Sequence, residues 1–134
     1  PEGFARAKTL SKHKLVYNGD IVDLSGFNDL QSIFPDTTSW MIGRGAIADP
    51  FLPEKIKNQS MEINNHLARL SEFHQDIYDR YSKRLSGASH ILGRMKQIWQ
   101  YLILSFPNSQ KELKQINKAK NTSQYEQIVQ QLFS

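Results

Sequence analysis

Two glycine corners, Asn18-Gly19-Asp20-Ile21 and Met41-Ile42-Gly43-Arg44-Gly45-Ala46, each follow a short β-branched or aromatic run directly, and this placement restricts the chain more than any other feature. A glycine where a strand stops lets the backbone approach a ligand with no Cβ in the way. Bare N–H groups at such a turn, above all ahead of a helix, bind phosphate. Two such corners in succession predict a single shared phosphate. Around them the periodicity predicts helix over residues 3–13, strand over 15–17, helix over 24–34 and strand over 40–42. Strands separated by a helix normally run parallel, and parallel strands are buried on both faces by neighbours. Two strands cannot supply that cover, so residues 1–58 are expected to be the last piece of a larger α/β domain. An opening Pro1-Glu2-Gly3 in place of methionine is compatible with a segment of something longer.

After Pro50 and Pro53 the pattern changes to helix alone, which places a domain boundary near residue 58. Ile63, Leu67, Leu70, Phe73 or His74, Ile77, Tyr81 and Leu85 recur at spacings of three and four, and predict a long amphipathic helix ended by Gly87. Ile91, Leu92, Met95, Ile98, Trp99, Leu102 and Ile103 form the apolar stripe of the next, which Phe106-Pro107 stops. Two shorter helices are each introduced by a capping-box spacing, Ser109 with Glu112 and Ser123 with Glu126. Residues 59–134 are therefore expected to be a helical bundle. The fold class is α/β followed by all-α.

Composition narrows the chemistry. The 134 residues are 39% hydrophobic and include no cysteine, so disulfides and cysteine metal sites are excluded. There is no apolar run of membrane-spanning length and no signal-peptide pattern, which fits a cytoplasmic setting. Of the net charge of +4, residues 1–58 contribute nothing, with 7 basic and 7 acidic side chains, whereas residues 59–134 carry 10 basic and 6 acidic. A cationic excess confined to one domain suits a phosphate-backbone partner and equally suits a solvated helical surface. The histidines His13, His66, His74 and His90 show no ligand spacing, so no metal site is expected.

Gly43-Arg44-Gly45-Ala46-Ile47-Ala48 also has the G-x-G-x-x-A spacing of a dinucleotide fingerprint. A Rossmann turn feeds a long helix, however, and Asp49-Pro50 permits only a short one here. A short extra helix behind the last strand is what the phosphate site of a (β/α)8 barrel uses, with the loops after strands seven and eight. Barrel site, Rossmann site and plain turns without a ligand all remain open from spacing alone.

A specific resemblance runs through these same residues. Val16-Tyr17-Asn18-Gly19-Asp20-Ile21, then Met41-Ile42-Gly43-Arg44-Gly45-Ala46 with Pro50-Phe51-Leu52 behind it, then a tail holding Arg94-Met95-Lys96-Gln97-Ile98-Trp99-Gln100-Tyr101-Leu102, resemble the C-terminal part of a tRNA-dihydrouridine synthase. The tail is most similar to the bacterial subgroup that modifies uridine 16. The resemblance implies an FMN-dependent reductase of a tRNA uridine, with NADPH as reductant. It also implies that residues 1–58 are the last βα units of an FMN-binding TIM (β/α)8 barrel and residues 59–134 a helical tRNA-binding domain.

On matching positions the resemblance assigns Asn18, Gly19 and Asp20 to the FMN-binding turn after strand seven, and Gly43 and Arg44, with Gly45, to the one after strand eight. The amides at Gly19, Gly43, Arg44 and Gly45 would cradle the phosphate and the Arg44 guanidinium would offset its charge. Asp20 would form the turn or face the ribitol, since like charges repel. The family's proton donor is a cysteine on an earlier loop, so the chain is expected to be inactive without the remainder of the barrel, about six further βα units. Arg94 and Lys96 match the family's basic pair, and Arg80, Lys83 and Arg84 form a second cluster whose last two members equally suit the negative end of their own helix. Trp99 falls on the apolar stripe and is expected in the core. A helical RNA-binding module without catalysis, or a protein–protein adaptor with a merely solvated basic face, would carry the same tail.

Overall fold

The computed structural model describes residues Pro1–Ser134, with eight α-helices and two strands. The chain divides into two units: Pro1–Ala46 with Phe51–Glu62, and Ile47–Pro50 with Ile63–Ser134. The alternation expected for the first unit is present. Helix α1 spans Glu2–Leu10, strand β1 Tyr17–Asn18, helix α2 Leu24–Ile33 and strand β2 Trp40–Met41. The strands pair in parallel, Tyr17 opposite Trp40 and Asn18 opposite Met41. Strand β1 begins two residues later than the apolar run suggests and ends one later, with Tyr17, paired to Trp40, in the core and Val16 half exposed.

Helix α2 begins where Asp23 caps it, its carboxylate accepting the Gly26 N–H at 2.7 Å. From there Leu24, Phe27 and Leu30 face inward at helical spacing. They join Tyr17, Ile21, Phe34 and Leu52 in the core, which Phe4, Trp40, Ile42 and Ile56 complete from its edge. Much of this core is aromatic: Phe4 meets Tyr17 and Phe34 edge-on at 5.0 and 5.1 Å, and Phe27 meets Trp40 at 5.1 Å. Edge-to-face rings add about 0.5–1.5 kcal/mol per pair beyond area burial. The opposite face of the two strands holds Val16, Asn18 and Met41, with Val16 and Met41 about half exposed.

Behind β2 the predicted short helix is α3, Arg44–Ala48, only five residues long before Pro50. Helix α4, Leu52–Asn58, is one that apolar periodicity alone did not mark. Pro53 sits in its first turn, where the missing N–H costs nothing, and Gln59 ends it in the left-handed region at φ 50°.

The second unit is helical throughout. Helix α5 spans His66–Arg84, α6 Ala88–Leu102, α7 Gln110–Lys118 and α8 Thr122–Phe133, with a 3-10 turn at Ile103–Ser105. Leu70 and His74 of α5, Leu92, Met95, Trp99 and Leu102 of α6, Ile116 of α7 and Tyr125 and Val129 of α8 are buried. Three expectations need correction. Gly87 does not end α5, which stops at Arg84 with Leu85 extended; at φ +89° Gly87 instead forms the turn into α6. Ser109 precedes α7 without capping it, its hydroxyl turning back toward the Pro107 carbonyl. The cap of α8 is Asn121, not Ser123. Its side chain accepts the Gln124 N–H at 2.9 Å while the Gln124 amide oxygen accepts the Lys120 N–H at 3.0 Å, a reciprocal arrangement begun two residues earlier.

Candidate functional site

The two glycine corners of the first unit line one cleft. Asn18, Gly19, Asp20, Ile21, Gly43, Arg44 and Gly45 enclose a space of about 360 Å³. Parallel pairing of β1 and β2 brings them there, since both strands end on the same side and each hands the chain to its corner. All six residues singled out for the cofactor therefore meet around a common space. Arg44 reaches across it and donates from Nη2 to Asp20 Oδ1 at 2.5 Å. Both side chains are largely exposed, so the pair orients the guanidinium at the rim and adds little to stability.

The three corner glycines are there for different reasons. A Cβ at Gly19 would run into the ring and hydroxyl of Tyr17, at 2.6–2.9 Å. A Cβ at Gly45 would land on the backbone carbonyl oxygen of Ile21 and press on Leu52 Cδ2 at 3.1 Å, so this glycine is what lets the second corner close against the first. Gly45→Ala is expected to lower the stability of the first unit by about 2 kcal/mol, because a backbone oxygen has no rotamer by which to yield. Thermal unfolding of parent and variant checks it; equal midpoints would mean that the corners separate without cost. Gly43 differs from both. Its φ is not positive and its Cβ would meet nothing within 4 Å, so the chain's own packing does not call for glycine there.

In the second unit the residues singled out for RNA have distinct surroundings. Arg80 is paired with Asp76 one turn back at 2.8 Å, while Lys83 and Arg84 stand exposed in the last turn of α5, against the negative end of the helix. Arg94 is exposed on α6 and donates to Gln97 Oε1 at 3.3 Å. Lys96 is half-buried, and one of its N–H groups binds the carbonyl of Ala119, the residue that ends α7, at 2.7 Å. The fully buried Trp99 lies in the core as its stripe requires.

Sequence patterns did not point to the polar network at the centre of this unit. Trp99 Nε1 donates to Tyr125 Oη at 2.8 Å, and Tyr125 Oη lies 2.6 Å from His74 Nε2. An indole N–H can only donate, so the Tyr125 oxygen accepts it, while the direction of the Tyr125–His74 bond follows from which imidazole nitrogen carries the hydrogen. Burial drops the His74 pKa to about 4 and pushes that of Tyr125 well above the ordinary phenol value. Beside them Tyr78 donates to Glu126 Oε1 at 2.6 Å; desolvation and that carboxylate push the Tyr78 hydroxyl up to about 12. The available signal was His74 on an otherwise apolar stripe.

No group of three or more histidine, aspartate or glutamate side chains is placed to hold a metal, and no helix is long and apolar enough to cross a membrane. Neither a curated protein nor a solved structure matches the chain. A family model described as dihydrouridine synthase (Dus) matches residues 8–134, nearly the whole chain and both of its units, and the chain therefore belongs to the dihydrouridine synthase family.

Proposed function

We propose that this chain is the closing part of a tRNA-dihydrouridine synthase of the bacterial type, in which residues 1–58 supply the last βα units of an FMN-binding TIM (β/α)8 barrel and residues 59–134 the helical domain that holds tRNA. The observation that carries the reading is the single cleft shared by both glycine corners. Further support comes from the parallel strand pair, whose half-exposed Val16 and Met41 face asks for cover by more strands. The wording of the α6 segment, Arg94 to Leu102, favours the uridine-16 subgroup.

The residues of the cleft fit the phosphate of FMN. Gly43 is the position best explained by a ligand, because a bound phosphate needs the backbone bare where the fold does not. Asn18, Gly19 and Asp20 form one wall, Gly43, Arg44 and Gly45 the other. The exposed Asp20–Arg44 pair is worth less than about 1 kcal/mol, so the guanidinium turns to a phosphate at little cost while Asp20 keeps it at the rim. When bound, the flavin supplies the hydride for the uridine C5–C6 bond and is itself reduced by NADPH. The chain has no cysteine to act as the acid, so it is expected to form no dihydrouridine alone.

Arg94, Arg80, Lys83 and Arg84 are the proposed contacts to tRNA phosphates, recognising shape rather than sequence. Lys96, with one donor on Ala119, holds the end of α7 against α6 and offers its remaining donors to the same backbone. Disrupting the gene for this chain is expected to remove one dihydrouridine from cellular tRNA, read by mass spectrometry of tRNA digests. A copy carrying Arg44→Ala is expected to restore less of it than the parent copy does. Unchanged dihydrouridine after disruption would overturn the reading. In tRNA binding, Arg94→Ala is expected to weaken affinity severalfold and reduce the slope of log K against log salt by about one.

A further inference from the structure

Helix α7 carries Lys111, Lys114 and Lys118 at i, i+3 and i+7, one exposed stripe, and Lys120 follows just beyond its end. None of these four ammonium groups has a hydrogen-bond or ion-pair partner. No carboxylate occurs from Leu113 to Tyr125, and Glu112 is half-buried away from the stripe. The stripe borders a second acid-free surface. Helix α6 contains no aspartate or glutamate at all, and its exposed edge of Arg94, Gln97 and Gln100 joins α7 where Gln100 Nε2 donates to Asn117 Oδ1 at 3.0 Å. Lys96 fastens the same junction through Ala119.

We infer that the α7 lysine stripe is a docking surface for an RNA backbone, extending the tRNA contact beyond α5 and α6; the inference rests on the proposed tRNA-binding role of this unit. Neighbouring lysines on the stripe are about 5–6 Å apart at Cβ, on the scale of successive phosphates along a strand, and their long stems let each ammonium find its own oxygen. Lys118 alone has a helix-end role open to it; Lys111 and Lys114 lie too far from the C-terminus of α7 for the helix dipole to explain them. A lipid surface fits poorly, since a helix lying on a membrane inserts its apolar face, and that of α7 is already occupied: Ile116 is fully buried and Leu113 half-buried. A protein partner fits less well too, because protein interfaces are depleted in lysine and enriched in aromatic side chains, the reverse of this stripe.

The test compares the full chain with a K111Q/K114Q/K118Q variant in tRNA binding across a salt titration, with a K111R/K114R/K118R variant alongside. Glutamine keeps helix propensity and removes only charge. The expected result is affinity lower by about tenfold at 0.1 M salt and a slope of log K against log salt reduced by about two, with the arginine variant close to the parent. Parental affinity and slope in the glutamine variant, while Arg94→Ala is weakened, would overturn this inference and leave the proposed function standing. Failure of the parent chain to bind tRNA at all would overturn both. Loss of binding to phosphatidylserine vesicles with tRNA affinity unchanged would assign the stripe to a membrane and overturn the inference as well.

Discussion

Trp99→Ala is expected to destabilise the helical unit by about 3–5 kcal/mol, the largest effect of any single truncation in the chain. The indole is fully buried and lies 5.4 Å from the His74 ring, 5.6 Å from Phe106 and 6.2 Å from Phe133, centre to centre, so its removal leaves a cavity that elements on several sides would have to fill. It also takes away the indole N–H that Tyr125 Oη accepts. Trp99→Phe separates the two contributions. Most of the volume remains, and the lost hydrogen bond is expected to cost about 1–2 kcal/mol. Urea unfolding followed by helical circular dichroism checks both variants; a Trp99→Ala midpoint near that of the parent would show that the unit collapses around the gap.

Acid is expected to weaken the same network. His74 titrates near 4 in the folded chain and near 6.5 when unfolded, because burial penalises the imidazolium. Protonation would put a hydrogen on both ring nitrogens, so Nε2 could only donate to Tyr125 Oη, which already accepts from Trp99. Above pH 6.5 both states are neutral at this position and His74 contributes no pH dependence. Between pH 6.5 and 4 the unfolded chain binds a proton that the folded chain refuses, so stability falls as pH falls, by up to about 3 kcal/mol. Comparing the parent with His74→Gln isolates this from the carboxylates, which titrate alike in both. The difference in unfolding free energy between pH 7 and pH 4.5 is expected to be smaller in the variant by about 2 kcal/mol. Equal slopes would mean that His74 is already protonated in the fold.

The legible parts of this protein depend on neighbours in sequence. Apolar spacing located α5 and α6 and put Trp99 inside, because residues three and four apart share a helix face whatever else the chain does. The β-α-β rhythm predicted a parallel pair, and Asp49-Pro50 predicted that the helix behind β2 would be short, since proline has no N–H to continue it. Helix ends were harder to read. Asn121 and Ser123 are both competent caps, and which one serves depends on where Tyr125 and Val129 must point to reach the core.

Partners far apart in the chain had no signature at all. Arg44 with Asp20 is 24 residues distant, Lys96 with Ala119 is 23 and His74 with Tyr125 is 51. The sequence by itself determined the glycine corners, the helical faces and the cationic excess of the second half, because local sterics and composition suffice for these. Only the tertiary structure decided that Arg44 reaches Asp20 across the cleft, that Lys96 fastens α7 to α6 and that a histidine on an apolar stripe answers to a tyrosine. Chain reversal chooses among many polar side chains that are locally equivalent, and the choice follows from which of them the packed core brings within hydrogen-bond reach.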